Sequence, residues 1–192
     1  MKAILRPINV KMLNANMFHL LDDKWMLLTS GTQKKFNTMT ASWGTFGILW
    51  NKPVAIGFVR PQRYTFDFIN TNDIFTISFF PDEHKSALDY CGSHSGRDTD
   101  KITNAGLTPM FTEKGGIYFS QAHLVFECKK LYSDDLKSEN FFNKKLIENI
   151  YPGADFHRFF IGEISNCYAS EAFIPEKGTN FAASKEENTT DF

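Results

Sequence analysis

Residues 36–43, with the sequence FNTMTASW, are the stretch from which we predict the fold. If they form a strand, alternate side chains share a face, so one face carries Phe36 followed by the hydroxyl residues Thr38, Thr40 and Ser42. Threonine suits a strand because its branched Cβ fits the pleat, yet a row of hydroxyls is unusual on a core face. Beside main-chain N–H groups, such a row suits a bound anion, such as phosphate, or the polar edge of a flat ring. The alternative is the solvated outer face of an antiparallel sheet.

Further strands are predicted around this one, from apolar and alternating runs at 25–32, 54–60, 74–80, 121–131, 156–165 and 167–172. The run at 54–60 is apolar almost throughout, which predicts burial on both faces, and Gly57 in its middle indicates a bulge or a close backbone approach. The segment 121–131 alternates, with Ala122, Leu124, Phe126 and Cys128 predicted to point inward.

Only short helices are predicted between these strands. One spans 65–70 with Thr65 as its N-cap, one spans 82–90 with Gly92 as its stop, and one begins at Ser95 and ends near Gly106. A strict alternation of strand and helix is absent, which argues against a doubly wound parallel sheet. We therefore predict a mainly β fold, an antiparallel β-barrel or sandwich with short helices at its corners.

The bulk properties favour a single domain. At 192 residues, the chain can bury a full core as one unit, 1–192, with a polar insertion near 133–150 and a flexible tail at 185–192. The net charge of −1 argues against nucleic acid or an anionic membrane as the main partner. The sequence contains no run of about 18 apolar residues, so no membrane span is predicted. The N-terminal stretch lacks the apolar core of a signal peptide. We expect a cytoplasmic protein.

The cysteines and histidines predict no metal and no disulfide. Cys91, Cys128 and Cys167 are far apart and form no C-x-x-C, which suits buried thiols in a reducing compartment. The five histidines show no ligand spacing. Phenylalanine is abundant, at 20 of 192 residues, and predicts flat apolar surfaces in a core, a dimer interface or a ring-binding wall. Composition leaves these three open.

Two basic segments are candidates for an anion site, since the chain has neither G-x-G-x-x-G nor a P-loop. In the first, Arg60 and Arg63 flank Pro61 between the buried strand and the helix predicted at Thr65. Guanidinium groups, a hydroxyl and free helical N–H groups would converge there. The alternative is an exposed turn with two solvated arginines.

The second basic segment is SHSGRDTDK, residues 93–101. On a helix, Arg97 and Lys101 would share a face, with Ser95 at the positive N-terminus. The alternative is a well-capped surface helix in which Asp98 and Asp100 neutralise both cations.

The order of these pieces resembles a known family. NTMTASWG, RPQRYT, FTISFF, CGSHSGRDTDK with AGLTP, and the late HRFFIGE together resemble the flavoredoxin branch of the flavin reductase-like family. The resemblance covers residues 37–109 closely and 156–163 more loosely. It implies an FMN-binding split β-barrel of antiparallel Greek-key type.

The resemblance also implies a homodimer that holds FMN at or near the subunit interface. It implies that the flavin and its phosphate meet four segments, namely Asn37, Thr38, Met39, Thr40, Ala41, Ser42 and Trp43; Arg60, Arg63, Tyr64 and Thr65; Ser78 and Phe79; and Ser93, Ser95, Arg97 and Lys101. Tyr64 departs from the family pattern, in which histidine is common at that position. His157 matches a late histidine on the nicotinamide or substrate side, the alternative being a strand histidine on a dimer surface.

Three functions follow from this resemblance. The flavin performs the redox chemistry, so no nucleophile or general base is required and no catalytic residue is predicted. The first function is an oxidoreductase that passes electrons from NAD(P)H through FMN to a flavin, a metal complex or a protein. The second is an electron carrier of the flavoredoxin type, reduced by a partner protein, and the third is a non-catalytic flavin-binding module. The insertion near 133–150 is placed to cover or open the site.

Overall fold

A computed structural model describes residues 4–175, so the predicted flexible tail at 185–192 lies outside the described residues. Eight strands form one antiparallel sheet: β1 (Arg6–Ile8), β2 (Met26–Thr32), β3 (Lys35–Ala41), β4 (Gly44–Leu49), β5 (Lys52–Val59), β6 (Ile74–Phe79), β9 (Leu124–Asp135) and β10 (Arg158–Ala169). A separate hairpin consists of β7 (Pro109–Phe111) and β8 (Ile117–Phe119).

The sheet has the order β3-β2-β6-β9-β10-β5-β4, with β1 added on β10. Its two end strands, β3 and β4, follow one another in sequence and are joined through Ser42 and Trp43. Every pairing within the sheet is antiparallel, and the curled sheet is an antiparallel barrel split between β3 and β4. The predicted fold class is confirmed.

Five short α-helices occupy the connections in the described part of the chain, besides four 3-10 turns at Val10–Met12, Asp82–His84, Ser138–Asn140 and Glu171–Phe173. The α-helices are α1 (Met17–His19), which continues as a π-helical turn over Leu20–Lys24, then α2 (Tyr64–Thr71), α3 (Lys85–Ser93), α4 (Lys101–Asn104) and α5 (Lys145–Ile150). Within residues 4–175, no helix is long and apolar enough to cross a membrane.

The core lies on both faces of the sheet. On β2, Leu28 packs into the larger core cluster, whereas its neighbour Leu27 packs into a second cluster beneath α3. Phenylalanine supplies much of this core, and five of its side chains are fully buried, namely Phe75, Phe79, Phe119, Phe126 and Phe160. Each aromatic side chain removes a large apolar area from water, so these rings contribute strongly to stability.

The predicted bulge is absent at Gly57, which pairs regularly with both neighbouring strands, and the close approach there is made by a side chain rather than by another backbone. A Cβ on Gly57 would lie 2.6 Å from Leu28 Cδ1, so the Leu28 side chain packs directly against the β5 backbone and would have to shift for any larger residue. The prediction of full burial for this strand is correct on one face only, because Ile56 and Phe58 are partly exposed.

The two strands predicted at 156–165 and 167–172 are one strand, β10. Its pairing with β9 shifts register between Ile161 and Gly162 and again between Ile164 and Asn166. A β-bulge adds a residue and reverses the alternation of the side chains while the backbone pairing continues. The sequence pattern therefore breaks where the strand does not. Strands β1, β4, β7 and β8 were not predicted.

The helix boundaries also differ from the predictions. Arg63, not Thr65, is the N-cap of α2, and α3 runs through Gly92 to Ser93. Residues 95–100 form turns, and the next helix begins only at Lys101, capped by the Asp100 side chain. The prediction that Arg97 and Lys101 share a helical face is wrong, because the Asp100 cap starts the helix after Arg97.

Candidate functional site

Two adjoining clefts lie where β3 and β5 end and β10 begins. The basic cleft has a volume of about 460 Å³ and is lined by Met39, Thr40, Ala41, Ser42, Trp43, Phe58, Arg60, Gln62, Arg63 and His157. The aromatic cleft has a volume of about 730 Å³ and is lined by Asn16, Phe18, His19, Leu21, Asp22, Asp23, Ser42, Trp43, Gly44, Phe58, Leu136 and Tyr151. Both volumes lie in the range of roughly 300–1,000 Å³ typical of sites for small molecules and cofactors.

Trp43 stands between the two clefts. It follows the end of β3, and its side chain is 47% exposed although the ring packs 5.0 Å, centroid to centroid, from His157. Ser42 and Phe58 also border both clefts. A half-exposed indole with a neighbouring phenyl ring offers a flat apolar surface on which a planar ligand can stack.

The edge of β3 offers backbone groups to the basic cleft. In the described sheet, β3 pairs only with β2, so half of its N–H and C=O groups point away from the sheet. Its last residues, Met39, Thr40 and Ala41, line the basic cleft. Free N–H donors at a strand edge suit the oxygen atoms of a ring or a phosphate.

The hydroxyl row predicted on this strand divides into three environments. Thr38 is fully buried and hydrogen-bonds the Thr29 hydroxyl at 2.8 Å, which contradicts the alternative of a solvated face. Thr40 donates to the Leu88 carbonyl of α3. Only the Ser42 hydroxyl borders the clefts without such a bond among the described residues. The hydroxyl row therefore serves mainly to hold β3 against β2 and α3 through hydrogen bonds.

The two arginines of the first basic segment differ in how they are engaged. Arg60 is held on both sides, because its Nη1 donates to Asp155 at 2.5 Å and its Nη2 to the Ile150 carbonyl at 2.9 Å. Arg63 makes one bond, from Nη1 to the Gly92 carbonyl at 2.9 Å. Burial, and then the charge of Arg60, lower the pKa of Arg63, which indicates positive charge without an acidic neighbour. The Arg63 guanidinium therefore keeps N–H donors with which it can bind an anion.

The segment after α5, residues 151–157, closes the site from one side. Asp155 accepts from Arg60 and from Gln62 Nε2 at 2.6 Å, and these bonds, Gln62 first, lower the pKa of its carboxyl. The segment carries Tyr151, which lies beneath the Arg60 guanidinium at 5.3 Å from the ring centroid. Tyr151 directly follows the predicted insertion at 133–150, of which Leu136 lines the aromatic cleft.

Tyr151 and His157 form a buried pair at the junction of the clefts. The tyrosine oxygen lies 2.8 Å from His157 Nδ1, and both side chains are at most 8% exposed. Burial, and then the charge of Arg60, lower the pKa of His157 to about 4. Burial raises the pKa of Tyr151. Both groups are consequently neutral near pH 7.

Four further predicted residues form a layer behind the basic cleft. Asn37 Nδ2 donates to the Thr65 hydroxyl at 2.8 Å, and a Cβ on Gly96 would lie 2.2 Å from Asn37 Oδ1. Arg97 lies over the Tyr64 ring and donates to Asp67 at 2.8 Å and to the Gln62 carbonyl at 3.2 Å. These contacts fix the loop after α3 against the start of α2, so that Arg63 faces the cleft.

Lys101 lies further back still. It is 4% exposed, and its Nζ donates to the carbonyls of Cys91 at 3.3 Å and His94 at 3.4 Å. Burial lowers the pKa of Lys101 to about 8. Ser93 donates within its own helix to the Asp89 carbonyl, and the Ser95 hydroxyl accepts from the Arg97 N–H. None of these three side chains lines either cleft.

Ser78 and Phe79 of β6 point into the interior. Phe79 packs with Phe46 and Phe126 at ring-centroid distances of 6.3 Å, and the buried Ser78 hydroxyl has no partner among the described residues. Neither side chain reaches the clefts in this single chain.

The structure adds cleft residues that the sequence did not single out. Phe58 was hidden in an apolar run, and its place just before Arg60 at the strand end was the available signal. Gln62 lies within the RPQRYT motif. Tyr151 and Asp155 follow a polar insertion that carries no pattern, so nothing in the sequence marked them.

Comparison with known proteins gives one family match. The model of the flavin reductase like domain matches residues 19–181 of the chain. No curated protein is significantly similar in sequence.

Several solved structures are similar to the chain. Flavoredoxin from Methanosarcina acetivorans is 25% identical, with a TM-score of 0.60 over 77% of this chain and 69% of the other. The FMN-binding domain of a flavin reductases-like enzyme from Shewanella baltica is 16% identical, with a TM-score of 0.65 over 88% and 79%. A split barrel domain protein from Shewanella frigidimarina is 18% identical, with a TM-score of 0.61 over 77% and 67%.

Proposed function

The chain belongs to the family of flavin reductase like domains, and from this premise we propose that it is an oxidoreductase that binds FMN across the basic and aromatic clefts. The observation that carries the proposal is the junction at Trp43, where a half-exposed indole borders a cleft that contains Arg63. FMN has a flat tricyclic ring at one end and a phosphate at the other, and the two clefts offer a surface for each.

The residues present fit this cofactor. Among the described residues, the lining of the basic cleft includes two arginines and no acidic side chain, so its potential favours a phosphate. The Arg63 guanidinium, the Ser42 hydroxyl and the free N–H groups of the β3 edge would hold the phosphate and the polar edge of the ring. Trp43 and Phe58 would contact the ring.

The bound flavin supplies hydride and single-electron chemistry, and the protein binds and orients it. The free N–H groups of β3 stabilise negative charge on a ring edge, as an oxyanion hole does. The segment with Tyr151 excludes water from one side of the aromatic cleft. We propose NAD(P)H as the electron donor and a flavin, a metal complex or a protein as the acceptor.

A second candidate function is that of an electron carrier reduced by a partner protein. The similarity to a flavoredoxin at 25% identity favours it. So does Phe18, which is 87% exposed at the rim of the aromatic cleft and would contact a protein partner.

We also propose that the protein is a homodimer. Ile48 and Trp50 of the β4–β5 hairpin are 63% and 56% exposed, beside an apolar groove of about 240 Å³ lined by both β4 and the N-terminal segment. Exposed apolar surface of this kind favours association. Light scattering gives the mass in solution, and a monomer at micromolar concentration contradicts this part of the proposal.

An anaerobic titration separates the two functions. The purified protein is loaded with FMN and treated with NADH, then NADPH, then dithionite, while the flavin absorbance is recorded. Rapid bleaching by a nicotinamide supports the reductase, and bleaching by dithionite alone supports the carrier. Failure to retain FMN contradicts both.

A further inference from the structure

We propose that Tyr151 is a positioning residue, which holds His157 in the Nε2–H tautomer so that this ring donates a hydrogen bond to the carbonyl oxygen of a planar ligand stacked beside Trp43. The inference rests on the proposed function, since it assigns the ligand class taken at the junction of the same two clefts.

The hydrogen-bond inventory of the pair determines the tautomer. His157 is neutral near pH 7, so its ring carries one N–H, and Tyr151 keeps its hydroxyl hydrogen. If Nδ1 carried the ring hydrogen, it would donate to the tyrosine oxygen. The hydroxyl hydrogen would then need another acceptor, and the described residues offer none. With Tyr151 as the donor to Nδ1, every polar hydrogen of the buried contact is used.

The remaining hydrogen then lies on Nε2, on the other side of the ring. His157 lines the basic cleft, and its Nε2 makes no hydrogen bond with a described residue. The imidazole is also close to the Trp43 indole, with 5.0 Å between ring centroids. A planar ligand beside the indole therefore meets one neutral donor at its edge.

This arrangement selects for a particular ligand chemistry. A neutral N–H donor pairs well with a carbonyl oxygen, and the aromatic surroundings suit a conjugated ring. Two sources share this chemistry, the carboxamide of a nicotinamide donor and the carbonyl of a conjugated ketone or quinone acceptor. Neither requires a charged partner.

The neighbouring segment explains why the pair stays in place. Asp155 is clamped by Arg60 and Gln62, and Tyr151 packs against Phe156 with 4.8 Å between ring centroids. Tyr151 thus has a fixed position from which to orient the histidine. The pair belongs to the segment that directly follows the predicted insertion at 133–150 and its helix α5.

The first test reads the tautomer directly, with no need for FMN or activity. Long-range ¹⁵N–¹H spectra of labelled protein distinguish Nε2–H from Nδ1–H, and His157→Ala assigns the signals. We expect Nε2–H in the native chain and a mixture in Tyr151→Phe, with Tyr132→Phe as the matched control, because Tyr132 is exposed and its hydroxyl bonds to Asp134 rather than to His157. An Nδ1–H tautomer in the native chain overturns the proposal.

The second test measures binding of two probes, nicotinamide and cyclohex-2-enone, to the oxidised FMN-loaded protein through the change in flavin absorbance. Loss of one such hydrogen bond corresponds to about a tenfold weaker Kd. We expect this loss in His157→Ala and Tyr151→Phe and not in Tyr132→Phe. A weaker Kd for nicotinamide identifies the electron donor as the ligand that carries the carbonyl. A weaker Kd for the enone identifies the electron acceptor instead. No weakening for either probe overturns the proposal.

A double-mutant cycle distinguishes positioning from simple packing. In His157→Gln, the side-chain amide supplies a donor that no tautomer controls. We expect Tyr151→Phe to have no further effect on probe binding in that background. An equal effect in both backgrounds overturns the positioning role. If the native protein does not bind FMN but shows the Nε2–H tautomer, the proposed function is refuted and the positioning role of Tyr151 is not.

Discussion

At the scale of single residues, the two arginines after β5 have different roles although the sequence presents them as a pair. Arg60 has its guanidinium satisfied by Asp155 and the Ile150 carbonyl, whereas Arg63 has one backbone bond and a free side toward the basic cleft. A charged group that is already paired contributes little to ligand binding. The anion is therefore expected to depend on Arg63.

Arg63→Ala is expected to weaken FMN binding by roughly 1.5–3 kcal/mol, the usual worth of a hydrogen bond to a charged group. Fluorescence titration of FMN gives the Kd, and Arg6→Ala is the matched control because Arg6 is an exposed partner of Glu171 at 3.1 Å. An unchanged Kd in Arg63→Ala removes this residue from the phosphate site.

The buried hydroxyl pair on β2 and β3 gives a second prediction at this scale. Thr38→Val leaves the buried Thr29 hydroxyl without its partner, so the free energy of unfolding is expected to fall by about 1–3 kcal/mol. The double variant with Thr29→Val removes both hydroxyls and is expected to recover part of the loss. Urea unfolding measures both. If Thr38→Val leaves the free energy of unfolding unchanged, this strand face behaves as a solvated one, which contradicts the prediction.

At the scale of elements, the segment after α5 is attached to the sheet mainly through one carboxylate. Asp155→Ala removes the bonds from Arg60 and Gln62. We expect faster tryptic cleavage after Lys144 and Lys145, which are exposed at the start of α5, and an unchanged rate in the control Asp89→Ala. Equal rates in both variants would show that the aromatic contacts alone hold the segment.

The contact between α3 and α4 gives a pH prediction. Burial lowers the pKa of Lys101 to about 8, below its ordinary value of 10.5. Between these two values, the unfolded chain binds more protons than the folded one, so this group makes the free energy of unfolding rise as the pH rises from 8 to 10.5. Urea unfolding of the native chain and Lys101→Met across this range tests it. Parallel pH curves for the two proteins contradict it.

At the scale of the whole molecule, the sequence was sufficient for the fold class. The apolar runs, the alternating run that forms β9, and the lack of strand–helix alternation predicted an antiparallel β protein, and the motif order identified the family. The resemblance implies that β3 and the turn after β5 meet the cofactor, and the structure brings Trp43, Arg63 and His157 together in one cleft.

The rest of the fold and of the candidate site depends on contacts between elements, which no local sequence pattern predicts. The bulge of β10 at Ser165 hid the continuity of the strand, because a bulge reverses the alternation on which strand prediction relies. The Arg60–Asp155 pair joins positions 95 residues apart, and Asp155 lies in the short segment between Tyr151 and His157, which contact each other. Likewise, Thr38 and Thr40 looked available to a ligand until β2 and α3 were seen to take their hydroxyls.

Hydrogen–deuterium exchange of the protein with and without FMN tests the central claim most directly, because it locates the cofactor along the whole chain. The account predicts protection of amides at the end of β3 and through Trp43, in the turn that contains Arg63, and in the segment with Tyr151. Protection confined to other regions, or no change at saturating FMN, contradicts the proposed site.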